Sequence, residues 1–318
     1  MKKWFLSFLC LALLLLGGCG KGEGDVLRLA YQTSIANAVA MVADKGGFLT
    51  AEGLQVKSQI LNSGPMVNEV LAAGQADVGV VGDVPAILAI SGKLPVKIIT
   101  AVGGGNRRQR LMIPPDSPVA SLSDLVGKRL GITFGSSGHG GYYRLVKKHN
   151  LKPEDITLVN LNPTDMPEAL AAGEVDAVLV WEPTPSLIEA RKLGRELLTL
   201  ADTDNLYPMV ALVNTTFARQ YPEQVKAFVR ALIRAAEFIE REPEAAARIV
   251  AEVTGLAPEL ALKALDYHFF GVYFSPAILR GLEDTGEFLV QVDTIPTVPD
   301  LAAAVDTTFL PEEAVYTE

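Results

Sequence analysis

The chain has 318 residues, nearly half of them apolar, and a formal net charge of −9. This length provides the cores of two domains of ordinary size, and the acidic balance argues against nucleic acid as a partner. Both cysteines, Cys10 and Cys19, lie within the first 20 residues. The rest of the chain therefore offers no disulfide, no thiol nucleophile and no cysteine ligand for a metal.

The first 18 residues are predicted to be a lipoprotein signal peptide. They place Lys2 and Lys3 before an apolar stretch that is too short for a comfortable membrane span. The segment ends in Leu-Gly-Gly before Cys19, which resembles the bacterial lipobox. Cys19 is therefore predicted to carry the lipid, and residues 19–25 to form a tether. An ordinary signal peptide followed by a chance cysteine is the alternative.

Removal of this leader, with its two lysines, changes the formal net charge to −11. No later apolar run reaches the roughly 18 residues that a membrane span needs. We therefore expect an exported protein that is anchored to a membrane by lipid rather than embedded in it.

Beyond the tether, short β-branched runs alternate with amphipathic segments, which is typical of an α/β fold with parallel strands. The predicted strands are Leu27–Tyr31, Val78–Val81, Val96–Ala101, Arg129–Thr133 and Val175–Val180. The predicted helices are Ile35–Lys45, Met66–Ala73, Tyr142–His149, Pro167–Ala172, Pro222–Glu240 and Glu244–Glu252.

Two segments of the chain are repeated in the same order. LAAGQADVGVVGDVP at 71–85 returns as LAAGEVDAVLVWEPT at 170–184, and RLAYQTS at 28–34 returns as RLGITFGSS at 129–137. The repeats predict two similar α/β lobes, and ligands of such sheets bind beyond the carboxyl ends of the strands. The residues expected to border a cleft between the lobes are Gln32, Ser34, Asp83, Ser136, Ser137 and Glu182.

Five segments carry a resemblance to a known family. They are YQTS at 31–34, SGPMVNEVLAAGQADVG at 63–79, GDVPAI at 82–87, SPVASLSDLVGKRLGITFGSSGH at 117–139 and LNPTDMPEALAAGEVDAVLVWEPTPS at 161–186. Together they are similar to the periplasmic solute-binding proteins of ABC importers. The branch that they resemble takes nitrate, taurine, aliphatic sulfonates and the thiamine-precursor pyrimidine.

The resemblance implies a two-lobed periplasmic-binding-protein fold of type II, with two chain crossovers and a ligand cleft between the lobes. Lobe I would comprise residues 26–110 and 212–318, and lobe II residues 111–211. The crossovers would lie near Arg107–Ile113 and Leu206–Leu212. A monomer would close on its ligand and dock on a permease.

The loop Gly135–His139 is the main candidate site. A helix N-terminus offers unpaired N–H groups and a partial positive charge, so it can hold an oxyanion without a lysine. Ser136 and Ser137 would add hydroxyl donors, and Gly138 would allow close approach of the backbone. The alternative is a plain strand-to-helix turn with a serine cap. His139 is either a donor to the anion or a solvated residue of the first helical turn.

Further candidates lie at other strand ends. Gln32 offers a donor and an acceptor there, or is simply a polar surface side chain. Gly64 and Pro65 precede a second helix that would point at the cleft, although proline is common in any first turn. Thr164 occupies the repeated place in lobe II, where Asp165 is interpreted as a helix cap rather than a ligand contact.

The acids Asp83 and Glu182 would repel an anion. They would instead pair with the ammonium of a zwitterion such as taurine or with a pyrimidine amine, or they would only cap the turns at the following prolines. Trp181 would lie on an apolar tail of the ligand or pack between sheet and helix. The run RRQR at 107–110 is interpreted as a solvated charge run, with a bias of the cleft towards anions as the alternative.

Enzyme hypotheses receive less support. The segment at 135–139 misses the G-x-S-x-G nucleophile motif because His139 replaces its last glycine. The three histidines have no metal-binding spacing. Enzymes with this fold include a desulfinase, which needs a cysteine nucleophile, and a pyrimidine synthase, which works inside cells. A surface lipoprotein without a transport role would not need Gly-rich polar loops at a cleft.

The sequence thus predicts the solute-binding subunit of an ABC importer, with no catalytic residue, cofactor or metal. The expected ligand is a small organic anion, an alkanesulfonate or taurine. Nitrate, bicarbonate, the thiamine-precursor pyrimidine and riboflavin are the alternatives. The expected partners are the solute, the permease with its ATPase, and the membrane through the lipid on Cys19.

Overall fold

The computed structural model describes residues 26–203 and 205–316. The predicted signal peptide, the lipid attachment point Cys19 and the tether lie outside these residues. The strands are β1 (Val26–Gln32), β2 (Gln55–Leu61), β3 (Val78–Gly82), β4 (Val96–Gly104), β5 (Gln109–Ile113), β6 (Arg129–Ile132), β7 (Thr157–Asn160), β8 (Ala177–Trp181), β9 (Arg195–Thr199), β10 (Met209–Asn214) and β11 (Phe269–Tyr273).

The helices follow the strands in chain order. They are α1 (Ala38–Lys45), α2 (Phe48–Ala51), α3 (Gly64–Ala72), α4 (Asp83–Ser91), α5 (Ser137–Lys148), α6 (Met166–Ala171), α7 (Thr184–Ala190), α8 (Thr215–Gln220), α9 (Pro222–Arg241), α10 (Pro243–Thr254), α11 (Pro258–Leu265), α12 (Pro276–Gln291) and α13 (Leu301–Ala304). Among the described residues, no helix is both long and apolar enough to cross a membrane.

The strands form two separate sheets. The first has the order β11-β4-β10-β3-β1-β2 and the second the order β7-β6-β8-β5-β9. One large cluster of apolar side chains packs against the first sheet, and two smaller clusters contain the buried side chains of the second. The α/β fold predicted from the sequence is therefore confirmed.

The two chain crossings determine the direction of two strands. The chain leaves the first sheet after β4 and enters the second at Gln109, which pairs with Trp181 at the carboxyl end of β8. It returns at Met209, which pairs with Gly82 at the carboxyl end of β3. Because each crossing arrives where the parallel strands end, β5 and β10 run antiparallel to their neighbours. The sheets are therefore mixed rather than parallel throughout.

The longest predicted helix is confirmed. Its apolar residues recur every three to four positions, and the buried face of α9 includes Val225, Phe228, Val229 and Leu232. Pro222 stands at its first turn, where the missing N–H costs no hydrogen bond. Pro243 begins the next helix directly afterwards.

The sequence repeats correspond to a repeated local structure. Gly74 after α3 and Gly173 after α6 have φ angles of 65° and 69°, as expected for a glycine that ends a helix. The guanidinium of Arg28 donates to the carbonyl of Gly74, and that of Arg129 donates to the carbonyl of Gly173. Each arginine also pairs with the aspartate three residues after its glycine.

Candidate functional site

A small cavity lies where the carboxyl ends of the two sheets meet. Its volume is about 10 Å³, which is about what one water molecule needs. The residues that line it are Gln32, Gly64, Gly82, Pro85, Arg108, Gln109, Ser136, Ser137 and Trp181. To bind an organic ligand here, the two halves of the protein, one around each sheet, would have to separate and close again around it.

A wider groove of about 550 Å³ lies at the opposite end of the first sheet, beside Val26 and Lys57. Its other cation, Arg28, is paired with Asp77. We therefore regard the small cavity, where residues of both sheets converge, as the candidate site.

Of the described residues that line the cavity, Arg108 alone has a charged side chain, and it is only 1% exposed. Its Nη2 donates to the carbonyl oxygen of Tyr207 at 3.2 Å and contacts Sδ of Met209 at 3.6 Å. Its Nε has no hydrogen-bond partner within the described ranges. Burial lowers the pKa of Arg108 to about 10, so the side chain remains charged at neutral pH.

The interpretation of RRQR as a solvated charge run is wrong for three of its four residues. Arg108, Gln109 and Arg110 are at most 2% exposed, while Arg107 is exposed. The reason is the crossing itself: this segment passes between the two sheets, so both cover it.

Gln109 presents an unpaired amide to the cavity. Neither its Nε2 nor its Oε1 has a partner among the described residues, although both atoms are buried. A buried amide without partners is costly, which marks the position as one built for a ligand or water. A Cβ on Gly138 would stand 3.2 Å from Oε1 of Gln109, so the absence of a side chain at Gly138 gives this amide its room.

The helix that follows Gly135 begins earlier in the chain than the sequence predicts. Helix α5 starts at Ser137, five residues before the predicted start, and Ser136 is its N-cap. The Ser136 hydroxyl donates to the carbonyl of Thr133 at 2.6 Å and accepts from the N–H of His139 at 3.2 Å. Gly135 has a φ of +70°, the left-handed conformation that favours glycine. Ser136 and Ser137 both line the cavity.

His139 is turned away from the cavity. Its Nδ1 accepts a hydrogen bond from the N–H of Gly135 at 3.2 Å, and its ring stacks on Phe134 with centroids 4.8 Å apart. Burial lowers the pKa of His139 to about 4, so the imidazole is neutral at pH 7. The structure thus places it neither among the lining residues nor in open solvent.

Asp83 and Glu182 are both completely buried, and neither lines the cavity. Asp83 accepts hydrogen bonds from the hydroxyl of Ser137 and, at 3.1 Å, from that of Thr285. Glu182 accepts from the N–H of Ser186 at 3.3 Å and pairs with Arg110 at 2.9 Å.

Burial and hydrogen bonding oppose each other in the pair formed by Glu182 and Arg110. Burial raises the pKa of Glu182, against the opposing effect of Arg110. For Arg110, burial disfavours the charge, but hydrogen bonds to Glu182, Glu189 and Glu196 outweigh it and raise the pKa above its usual value. The carboxylate of Glu182 therefore forms a buried ion pair with Arg110.

The remaining predicted residues divide into two groups. Gln32, Gly64 and Trp181 line the cavity, and Trp181 also belongs to an apolar cluster of the second sheet. Pro65 faces Gly135 across the gap, with its Cγ 3.6 Å from where a Cβ on Gly135 would stand.

Ser34 and Thr164 lie apart from the cavity. Ser34 caps a short 3₁₀ helix, accepting from the N–H of Ala36 at 3.3 Å. Thr164 is exposed and donates to Asp165 at 3.3 Å. Asp165 occupies the N-cap position of α6 as interpreted, but its side chain makes no capping bond.

Arg108 and Gln109 line the cavity, although neither is predicted as a site residue from the sequence. The available signal was their position: a polar run between two apolar strands at a predicted crossover must pass the mouth of the cleft.

Comparisons with known proteins agree with the architecture. The alkanesulfonate-binding protein from Xanthomonas axonopodis pv. citri, solved bound to MOPS, superposes with a TM-score of 0.82 at 24% identity, over 90% of this chain and 99% of that one.

Two proteins with related sequences carry names that describe binding. A Bacillus subtilis (strain 168) protein named for binding aliphatic sulfonates is 28% identical over 98% of this chain and 96% of its own length. The taurine-binding periplasmic protein of Escherichia coli (strain K12) is 26% identical over 86% of this chain and 88% of its own. The sequence profile of the family described as NMT1/THI5 like matches residues 35–246. This match covers most of the chain, which therefore belongs to the NMT1/THI5 like family.

Proposed function

We propose that this protein is the solute-binding subunit of an ABC importer and that it captures a small organic anion, an alkanesulfonate or taurine. The observation that carries the proposal is the buried guanidinium of Arg108 beside the unpartnered amide of Gln109. A buried charge without a counter-charge in contact is costly. An anionic ligand in the cavity would supply that counter-charge.

The other lining groups suit the same ligand. The N-terminus of α5, which carries a partial positive charge, begins at the lining residues Ser136 and Ser137. Gln32 adds an amide at the end of β1. The two proteins with related sequences are named for sulfonate and taurine binding, and MOPS, present in the solved relative, is itself a sulfonate.

We further propose that the two sheets are the cores of lobe I (residues 26–110 and 212–318) and lobe II (residues 111–211), joined by the two crossings. Each boundary moves two to three residues earlier than the sequence predicts, because β5 begins at Gln109 and β10 at Met209. Lobe closure would enclose the ligand and create the surface that a permease recognises. The protein would be exported by the leader 1–18 and held at the membrane by lipid on Cys19, and it would act as a monomer.

An enzymatic role has little chemical support at this site. No histidine lines the cavity among the described residues, and the carboxylate that the Ser137 hydroxyl contacts, Asp83, lies behind the cavity surface and also accepts from Thr285. Residues 20–318 contain no cysteine. Because the cavity is small and carries a cation, a compact inorganic oxyanion such as nitrate or bicarbonate is the second candidate ligand.

Thermal melting of residues 20–318 against a ligand panel tests the proposal. The panel contains alkanesulfonates, taurine, nitrate, bicarbonate, the thiamine-precursor pyrimidine and riboflavin. A ligand at about 100 times its dissociation constant stabilises by about 2.7 kcal/mol, which raises the melting temperature by a few degrees. Stabilisation by the pyrimidine or riboflavin alone would contradict an anion site, and no shift with any member would contradict the transport role.

A further inference from the structure

We infer that the site selects simple alkanesulfonates and discriminates against aminosulfonates such as taurine. This inference rests on the proposed function and narrows its ligand. Two observations support it. The first is the charge of the residues that line the cavity. The second is that Asp83 and Glu182, the two acids that could have balanced an ammonium group, already have partners within the protein.

The lining residues supply positive charge and neutral dipoles. Among the described residues that line the cavity, Arg108 alone carries a formal charge. The others are apolar residues, glycines, serines and the glutamines Gln32 and Gln109. An ammonium group enclosed here would meet a nearby like charge and only neutral acceptors.

The first acid that could have received an ammonium, Asp83, is already occupied. Each of its oxygens accepts a hydrogen bond from a hydroxyl group, Oδ1 from Ser137 and Oδ2 from Thr285. The carboxylate is completely buried and does not reach the cavity surface. Asp83 also provides the electrostatic attraction that favours the charged form of Arg108.

The second acid, Glu182, occupies the repeated position at the end of β8, and each of its oxygens also has a partner within the protein. One oxygen pairs with Arg110 at 2.9 Å, and the other accepts from the N–H of Ser186 at 3.3 Å. Breaking a buried pair of this kind to bind a ligand ammonium would leave Arg110 with one acid fewer. Neither repeated acid is therefore available to a zwitterion.

The matched ligands for the test are 1-propanesulfonate and taurine. The first ends in a methyl group where the second has an ammonium group of similar size. Their dissociation constants are measured by calorimetry on the purified protein at neutral pH. We expect 1-propanesulfonate to bind at least about tenfold more tightly, because an enclosed charge without a partner is strongly disfavoured.

Equal or tighter binding of taurine would overturn the inference and leave the sulfonate importer standing. Binding of neither sulfonate would overturn both, since the inference depends on the proposed function. The two failures are thus distinguishable in one experiment.

A substitution tests the charge argument directly. Gln32→Glu places a carboxylate of nearly the same shape on the cavity surface, and Gln75→Glu adds the same charge at an exposed turn as the control. We expect Gln32→Glu to shift the affinity ratio towards taurine by about tenfold or more, whereas the control retains the wild-type ratio. An unchanged ratio in a folded Gln32→Glu protein would overturn the charge explanation.

Discussion

The hydroxyl of Ser137 donates a hydrogen bond to Oδ1 of Asp83, and this bond joins the first residue of α5 to the first residue of α4. The two helices follow strands of different sheets, so the bond connects the two halves of the protein beside the cavity. Thr285 of α12 donates to the other oxygen of Asp83 at 3.1 Å and itself accepts from Asn205 at 3.1 Å. The carboxylate of Asp83 therefore links three helices, α4, α5 and α12.

Ser137→Ala should weaken binding of the alkanesulfonate by about 10- to 100-fold. A hydrogen bond to a charged group contributes about 1.5–3 kcal/mol, and because this one joins the two halves we expect it to favour the closed form that holds the ligand. Calorimetry gives the affinity, and small-angle scattering of the ligand-free protein should show a larger radius of gyration. Ser123→Ala, at an exposed serine of the second half, is the control. An unchanged radius of gyration would mean that the bond does not hold the halves together.

Arg108→Met should abolish the ligand-induced rise in melting temperature. Methionine fills a similar volume without charge, so the variant loses the cation while packing is retained. Arg107→Met is the matched control, because Arg107 is exposed and its guanidinium lies 5.4 Å from the ring centroid of Tyr267 rather than at the cavity. Melting curves with and without 1-propanesulfonate check both variants. A full ligand-induced shift in Arg108→Met would exclude Arg108 as the anion partner.

Features set by local pattern were predictable from the sequence. The face of α9 follows from apolar spacing, and the glycines after α3 and α6 follow from the need for a left-handed residue. The paired repeats also predicted two similar units, because each repeat holds a complete strand and the helix end before it.

Features that depend on contacts distant in the chain were not predictable. The burial of Arg108 and Gln109 results from the second sheet folding against the first, which no local pattern encodes. The bond from Ser137 to Asp83 spans 54 positions, so neither residue shows its partner in the sequence. The sequence pattern predicts too late a start for α5, because Gly138, Gly140 and Gly141 lower the helical propensity of its first turns.

The repeated arginine–aspartate pairs should differ in their contribution to stability. Asp77 is 7% exposed at its side chain and accepts from the N–H and Nε of Arg28, both at 2.9 Å. Asp176 is 36% exposed, and its bond from Nε of Arg129 is longer, at 3.3 Å.

Asp77→Asn should therefore lower the free energy of unfolding by about 1–3 kcal/mol, whereas Asp176→Asn should lower it by about 1 kcal/mol or less. Urea denaturation at neutral pH measures both values, and each variant is the other's control because the local structure is the same. Equal losses would show that burial does not distinguish the two pairs.

His139 should make stability fall as the pH decreases from about 6.5 towards 4. Burial lowers the pKa of His139 from 6.5 to about 4, so below pH 6.5 the unfolded chain binds a proton that the folded protein still excludes. Each pH unit in this window removes at most about 1.4 kcal/mol, and the decrease ends below about pH 4, where both states are protonated. Protonation of Nδ1 would also break the bond from Gly135.

The substitution His139→Asn isolates this contribution, because its Oδ1 can still accept from Gly135 but does not titrate. Urea denaturation between pH 4 and 7.5 should show a shallower pH dependence for this variant, with a residual slope from His268, whose pKa burial lowers to about 3. The same slope in the wild-type and His139→Asn proteins would mean that His139 does not carry this pH dependence.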